Sequence, residues 1–151
     1  YVIGADSTVV FEGRAIGKPV DADDARRMLH ELSGTKHYVT TGLTVIDVES
    51  GRRLTDSMIG DVVLRDITDE EIEESIASGT PMDKAGAYAI QDVELRPGQL
   101  LEGCYTNVVG LPLCRLTQML TELGCPLPPN WAMPNQTNCK ADCPFVGNNP
   151  A

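Results

Sequence analysis

Positive charge is scarce in this sequence of 151 residues: 12 lysines and arginines stand against 22 aspartates and glutamates, for a net charge of −10. Binding to a nucleic-acid backbone needs a basic face, so this balance argues against a nucleic-acid partner. If the ligand is nonetheless an anion, a few well-placed cations or a divalent metal ion must reverse the field locally.

Long hydrophobic runs and a disulfide framework are also missing. No apolar run approaches the ~20 residues that a membrane span needs, and no signal-peptide pattern is present, so we expect no membrane partner. The cysteine count of five is odd and the cysteines are scattered, as in a reduced cytosolic domain. Near the end of the chain Cys139 and Cys143 lie close to Cys125, but no histidine follows His37, which favours spare thiols over a zinc site.

What the sequence does have is an alternation of strand-like and helix-like segments, which predicts a single α/β domain with a mixed sheet flanked by helices. Apolar residues alternate in the first eleven positions, while other segments carry a stripe of helical period. Strands are predicted at 1–11, 37–49, 53–66, within 83–91 and before Glu102, and helices at 21–33, 69–78 and 111–123. We expect residues 1–124 to form the domain and the Pro- and Asn-rich residues 125–151 to be a disordered tail. Because Tyr1 lies inside an apolar run, the chain is predicted to be a fragment without its N-terminal part.

Asp6 is the most informative polar residue, since it interrupts a strand whose ends are apolar. If that strand is buried, its carboxylate needs a hydrogen bond, a counter-charge or a metal ion. Its same-face neighbours Gly4 and Thr8 are small and leave room for a metal ion or a water nucleophile. The alternative is an aspartate that only caps a neighbouring loop.

Three further segments contain candidate binding residues. Gly17-Lys18-Pro19 predicts a turn with the lysine at its apex, free to reach a phosphate, although turn lysines are more often simply solvated. The segment 83–91 is rich in small residues and carries Lys84 and Gln91, a cation and an amide suited to a nucleobase edge. In the third segment, 103–113, Tyr105 and Asn107 are the candidates for exposed polar residues.

Taken together, these segments resemble the Maf family of nucleoside triphosphate pyrophosphatases. The matching motifs occur in the family's order and cover residues 1 to about 124. They are Ile3-Gly4-Ala5-Asp6-Ser7, Gly17-Lys18-Pro19, Leu32-Ser33-Gly34 with His37, Asp83-Lys84-Ala85-Gly86-Ala87-Tyr88-Ala89-Ile90-Gln91 and Asn107-Val108-Val109-Gly110-Leu111-Pro112-Leu113.

The resemblance implies a metal-dependent enzyme, similar in architecture to the inosine triphosphate pyrophosphatases, that cleaves a nucleoside triphosphate between its α and β phosphates. It implies Mg²⁺ or Mn²⁺ as cofactor, a cytoplasmic location and a possible homodimer. By the same resemblance, Asp6 is the proton acceptor and Lys18 binds phosphate, while Ser7 and Gln91 influence the choice of base. Lys84 together with Gln91 looks like the branch that cleaves dTTP and UTP. Three roles of the Asp6 carboxylate are compatible with the sequence: it acts as the base, it binds the metal ion, or it acts through a metal-bound water.

Besides the expected lack of the family's N-terminal segment, two features depart from the family pattern: Ser7 stands where threonine is usual in that branch, and Asp92-Val93-Glu94 replaces a glycine-rich stretch. Two acids beside a triphosphate would repel it unless they point away or bind metal. Two rival functions therefore accompany the enzyme hypothesis, a nucleotide-binding regulator without turnover and a non-enzymatic interaction domain.

Overall fold

The computed structural model describes residues 1–128, which form a five-stranded sheet with helices packed on one face. The strand order is β2-β1-β3-β4-β5, and every neighbouring pair is antiparallel. The strands are β1 (Val2–Phe11), β2 (Arg14–Ile16), β3 (Lys36–Ile46), β4 (Arg53–Leu64) and β5 (Gly98–Glu102). The helices are α1 (Ala22–Leu32), α2 (Asp69–Ser78), α3 (Tyr105–Val109) and α4 (Leu113–Glu122). The predicted α/β fold is confirmed, although the described strands show no parallel pair.

The two predicted helices α1 and α2 begin where their caps place them. The side chain of Asp21 accepts a 2.8 Å hydrogen bond from the backbone N–H of Asp24 at the start of α1. At α2, Thr68 and Glu71 form a reciprocal capping box, and Gly79 ends the helix with a positive φ. These are local signals, which is why the sequence alone locates both helices.

The core lies between the helices and one face of the sheet. Around Val39 and Val62 the sheet packs against the buried leucines of α1 and against α2. Further along β3, Leu43 and Val45 pack against the stripe of α4, which includes Met119. Each fully buried aliphatic side chain contributes about 2 kcal/mol relative to exposure, so the buried face specifies the register of the sheet.

The prediction that β1 is largely buried is wrong for its first half, because Val2, Ile3 and Asp6 are all exposed. The short strand β2 pairs only with Val9–Phe11, so the preceding residues of β1 form an edge of the sheet. The segment 83–91 is also not a strand: short 3₁₀ turns at Thr80–Asp83 and Ala85–Ala87 lead into a loop.

No helix among residues 1–128 is long and apolar enough to cross a membrane. The predicted tail lies mostly outside the described residues, as do Cys139 and Cys143. In the described part Cys104, Cys114 and Cys125 form no disulfide.

Candidate functional site

A cavity of about 290 Å³ lies beside the edge half of β1. Its wall contains five of the candidate residues that the sequence singled out, drawn from three separate segments: Asp6, Ser7, Lys18, Lys84 and Gln91. The fold therefore brings together a carboxylate, a hydroxyl, two ammonium groups and an amide, which is the group set expected for a nucleotide ligand.

Asp6 is exposed, which corrects the expectation that its carboxylate lies within a buried apolar strand. It lies directly opposite Gly42 on β3, so no side chain covers it from that neighbour. Within the described residues, its carboxylate has no hydrogen-bond or ion-pair partner. Asp6 is one of the residues that line the cavity, and within the described residues no contact supports the alternative in which Asp6 caps a loop.

Ser7 points toward the core side of β1 and is half-buried. Its hydroxyl lies 2.7 Å from the hydroxyl of Thr41, the residue opposite it on β3. The Thr41 hydroxyl in turn donates a 2.9 Å hydrogen bond to the backbone carbonyl of Asn107. Ser7 is thus the outer end of a hydrogen-bonded chain that runs from the cavity into the buried interior.

Lys18 and Lys84 approach the cavity from two loops that are joined by a backbone hydrogen bond. The N–H of Gly86 donates to the carbonyl of Gly17 at 3.0 Å, which holds the two lysine-bearing segments side by side. Lys84 forms a 2.5 Å ion pair with Asp83, and this contact lowers the pKa of the Asp83 carboxyl. Lys18 has no ion-pair partner within 4.0 Å among the described residues, so its charge is available to a ligand.

Tyr88 and His37 support the cavity wall from behind. Tyr88 lines the cavity, and its hydroxyl lies 2.6 Å from Nε2 of the buried His37. Burial lowers the pKa of His37 to about 4 and raises that of Tyr88, so at neutral pH both side chains are uncharged. The pair links β3 to the loop that carries Lys84, and it was not identified from the sequence.

The two acids that replace the family's glycine-rich stretch point away from the cavity. The side chain of Asp92 accepts hydrogen bonds from the backbone N–H groups of Glu94 and Leu95, forming a local turn. Both acids line a separate, smaller hollow against α2 instead. They therefore do not place negative charge at the wall where the lysines lie.

The expectation that Tyr105 and Asn107 are exposed polar candidates is wrong. Asn107 is fully buried and donates from its side-chain amide to the backbone carbonyl of Val39 at 3.2 Å, and Tyr105 does not line the cavity. The segment contributes Val109 and Gly110 to the wall instead. The cause is α3, a single helical turn that the sequence pattern did not predict and that turns Asn107 inward.

The fold and this cavity define a class of protein: the chain belongs to the Maf-like protein family, whose sequence model matches residues 1–123. Relatives with curated names make the comparison more specific. The chain is 49% identical over 124 residues to a dTTP/UTP pyrophosphatase of Geotalea uraniireducens, covering 82% of this chain and 64% of that protein. It is 48% identical over 124 residues to a protein of the same name from Geobacter sulfurreducens, covering 82% of this chain and 65% of the relative. This chain thus spans slightly less than two thirds of the length of these relatives.

Proposed function

We propose that this chain carries the substrate site of a nucleoside triphosphate pyrophosphatase that acts on UTP or dTTP. The observation that carries the proposal is the convergence of Asp6, Ser7, Lys18, Lys84 and Gln91 on one cavity. The names of the relatives support the same activity, since those proteins are called dTTP/UTP pyrophosphatases.

The lysines are proposed to bind the triphosphate. Hydrolysis at phosphorus depends mainly on positioning and on stabilising charge that builds up on the phosphate oxygens. Lys18 offers an unpaired ammonium, and Lys84 can exchange Asp83 for a phosphate oxygen. Two adjacent cations explain how a chain of net charge −10 accepts a polyanion.

Asp6 is proposed to activate the attacking water. In this step the water oxygen forms a bond to the α-phosphorus while a water proton passes to the Asp6 carboxylate. The bond from the α-phosphorus to the bridging oxygen breaks, and pyrophosphate leaves with that electron pair. The products are a nucleoside monophosphate and pyrophosphate, and Asp6 then returns its proton to solvent.

A divalent cation fits this donor set. Mg²⁺ is commonly held by one or two carboxylates together with substrate phosphates, so it does not need a cage of protein ligands. Residues 1–128 contain no cluster of three or more acidic, histidine or cysteine side chains arranged for a metal ion. In the alternative role, in which Asp6 does not act directly as the base, it would hold Mg²⁺ or Mn²⁺ with the phosphates, and the ion would supply additional charge stabilisation.

Ser7 and Gln91 are proposed to contact the base. A side-chain amide has both a donor and an acceptor and can pair with the edge of uracil or thymine. The Ser7 hydroxyl is a second uncharged polar group of the wall. This division leaves the charged groups for the phosphates and the neutral groups for the base.

The test is release of pyrophosphate by the purified chain from each common nucleoside triphosphate, with Mg²⁺ or Mn²⁺. We expect UTP and dTTP to give the highest kcat/KM, and equimolar monophosphate and pyrophosphate as products. Orthophosphate as the first product, or a purine triphosphate as the best substrate, would contradict the proposal.

A nucleotide-binding role without turnover is the second candidate, because the same cavity could bind a nucleotide without hydrolysing it. Saturable binding of UTP without pyrophosphate release would support it over the enzyme. A cytoplasmic location and a homodimer remain predictions from the family resemblance.

A further inference from the structure

The direction of the hydrogen bonds between Ser7 and the interior can be worked out from the contacts. The backbone carbonyl of Asn107 has no proton, so in its 2.9 Å contact with Thr41 the threonine hydroxyl must be the donor. A hydroxyl has one proton. The hydroxyl proton of Thr41 is therefore already used in the bond to Asn107, so Thr41 can only accept in its 2.7 Å contact with Ser7.

It follows that Ser7 donates to Thr41 and presents only oxygen lone pairs to the cavity. The opposite arrangement would bring a Thr41 lone pair against a carbonyl oxygen at 2.9 Å inside the protein, which is electrostatically unfavourable. Thr41 is fully buried, so water does not compete for its proton.

We propose that Thr41 is a positioning residue that makes Ser7 an obligate hydrogen-bond acceptor, and that this polarity selects a base with an imide N–H. The inference rests on the proposed function and deepens it. Uracil and thymine present a donor N–H at ring position 3, whereas cytosine presents a bare acceptor nitrogen there. A Ser7 oxygen without a free proton bonds the first and repels the second.

The deciding experiment is a comparison of UTP with CTP in the wild-type chain and in Thr41→Val. Valine has the shape of threonine but no hydroxyl, so the Ser7 proton becomes free to rotate toward the ligand. We expect the UTP/CTP ratio of kcat/KM to fall about tenfold, as one hydrogen bond changes sign. Part of this fall should come from a higher kcat/KM for CTP.

Two variants are matched to this change. Thr41→Ser keeps the hydroxyl and should keep the wild-type ratio. Thr44→Val removes a hydroxyl 3.0 Å from that of Thr55, on the opposite face of the same strand, and should leave the ratio unchanged. If circular dichroism shows that Thr41→Val does not fold, Ser7→Ala takes its place in the test. Loss of the Ser7 acceptor should also lower the UTP/CTP ratio of kcat/KM.

An unchanged ratio in folded Thr41→Val, or in Ser7→Ala where that variant decides, would overturn the inference. Wild-type release of pyrophosphate from UTP would then still support the proposed function. If the wild-type chain is inactive, the ratio is measured as dissociation constants of the α,β-imido analogues of UTP and CTP, with the same expected change. Absence of binding to both analogues would overturn the inference and the proposed function together.

Discussion

Gly86 provides a quantitative test of how the loop that carries Lys84 packs against the core. Its backbone has a φ of +73°, and a Cβ added there would lie 3.1 Å from both Leu32 Cδ1 and Val9 Cγ2. Those two side chains are core residues, buried to 0% and 3% exposure, so neither can move freely. Alanine at this position therefore meets a backbone penalty of about 1 kcal/mol and an overpacking penalty of about 1–3 kcal/mol.

Gly79 is the matched control. Its φ is +79°, close to that of Gly86, but a Cβ there would meet nothing within 4 Å. Gly79→Ala thus carries the backbone penalty alone, about 1 kcal/mol, while Gly86→Ala should cost about 2–4 kcal/mol in the free energy of unfolding. Urea denaturation followed by circular dichroism measures both. Equal losses in the two variants would refute the reasoning that Gly86 is required by close packing.

Three other predictions concern the charged groups. Asp6→Asn should lower kcat by a few orders of magnitude without changing the urea midpoint; unchanged kcat would remove Asp6 from the mechanism. Lys18→Ala should weaken binding of UTP more than of UMP, whereas Lys36→Ala, which removes a 2.5 Å ion pair with Asp61 outside the cavity, should affect neither. Equal losses for both nucleotides would place Lys18 away from the phosphates. Folding lowers the pKa of His37 from 6.5 to about 4. Between these pH values the unfolded chain binds a proton that the folded chain does not. The free energy of unfolding should therefore fall as the pH drops from 7 to 5, by up to about 1.4 kcal/mol per pH unit. His37→Phe should remove that part of the slope, measured by urea unfolding at each pH; an unaltered slope would show that His37 is protonated in the folded state.

Local signals made the helices predictable, and non-local pairing explains the failures. Asp21 and Thr68 act within their own turns, so α1 and α2 begin where the pattern predicts. The exposure of Asp6 depends instead on the register that places it opposite Gly42 on the outer face of the sheet, and no residue near Asp6 encodes that register. The same holds for Asn107, whose burial depends on its reach to the carbonyl of Val39.

Thr41 shows most clearly what the sequence alone does not predict, because β3 contains three threonines that look equivalent in the sequence. Thr40 and Thr44 lie on the outer face of the strand, while Thr41 is fully buried opposite Ser7. The period of two separates the faces but does not say which one is buried. The register with β1 is what gives Thr41 its role, and that register follows from the whole sheet.

The two lysines of the cavity wall differ in their ion pairs. In the described residues most arginines are held in ion pairs on the helices and strands, as in the contacts of Arg27 with Asp24 and of Arg65 with Glu71. Lys84 shares this arrangement through Asp83, so a phosphate would compete with that carboxylate for its ammonium. Lys18 has no such competitor within 4.0 Å in the described part. Since a competing carboxylate reduces the net gain from a new ion pair, we expect Lys18 to contribute more than Lys84 to binding in the proposed triphosphate site. We expect a smaller contribution from Lys84, because Asp83 already offsets part of its charge.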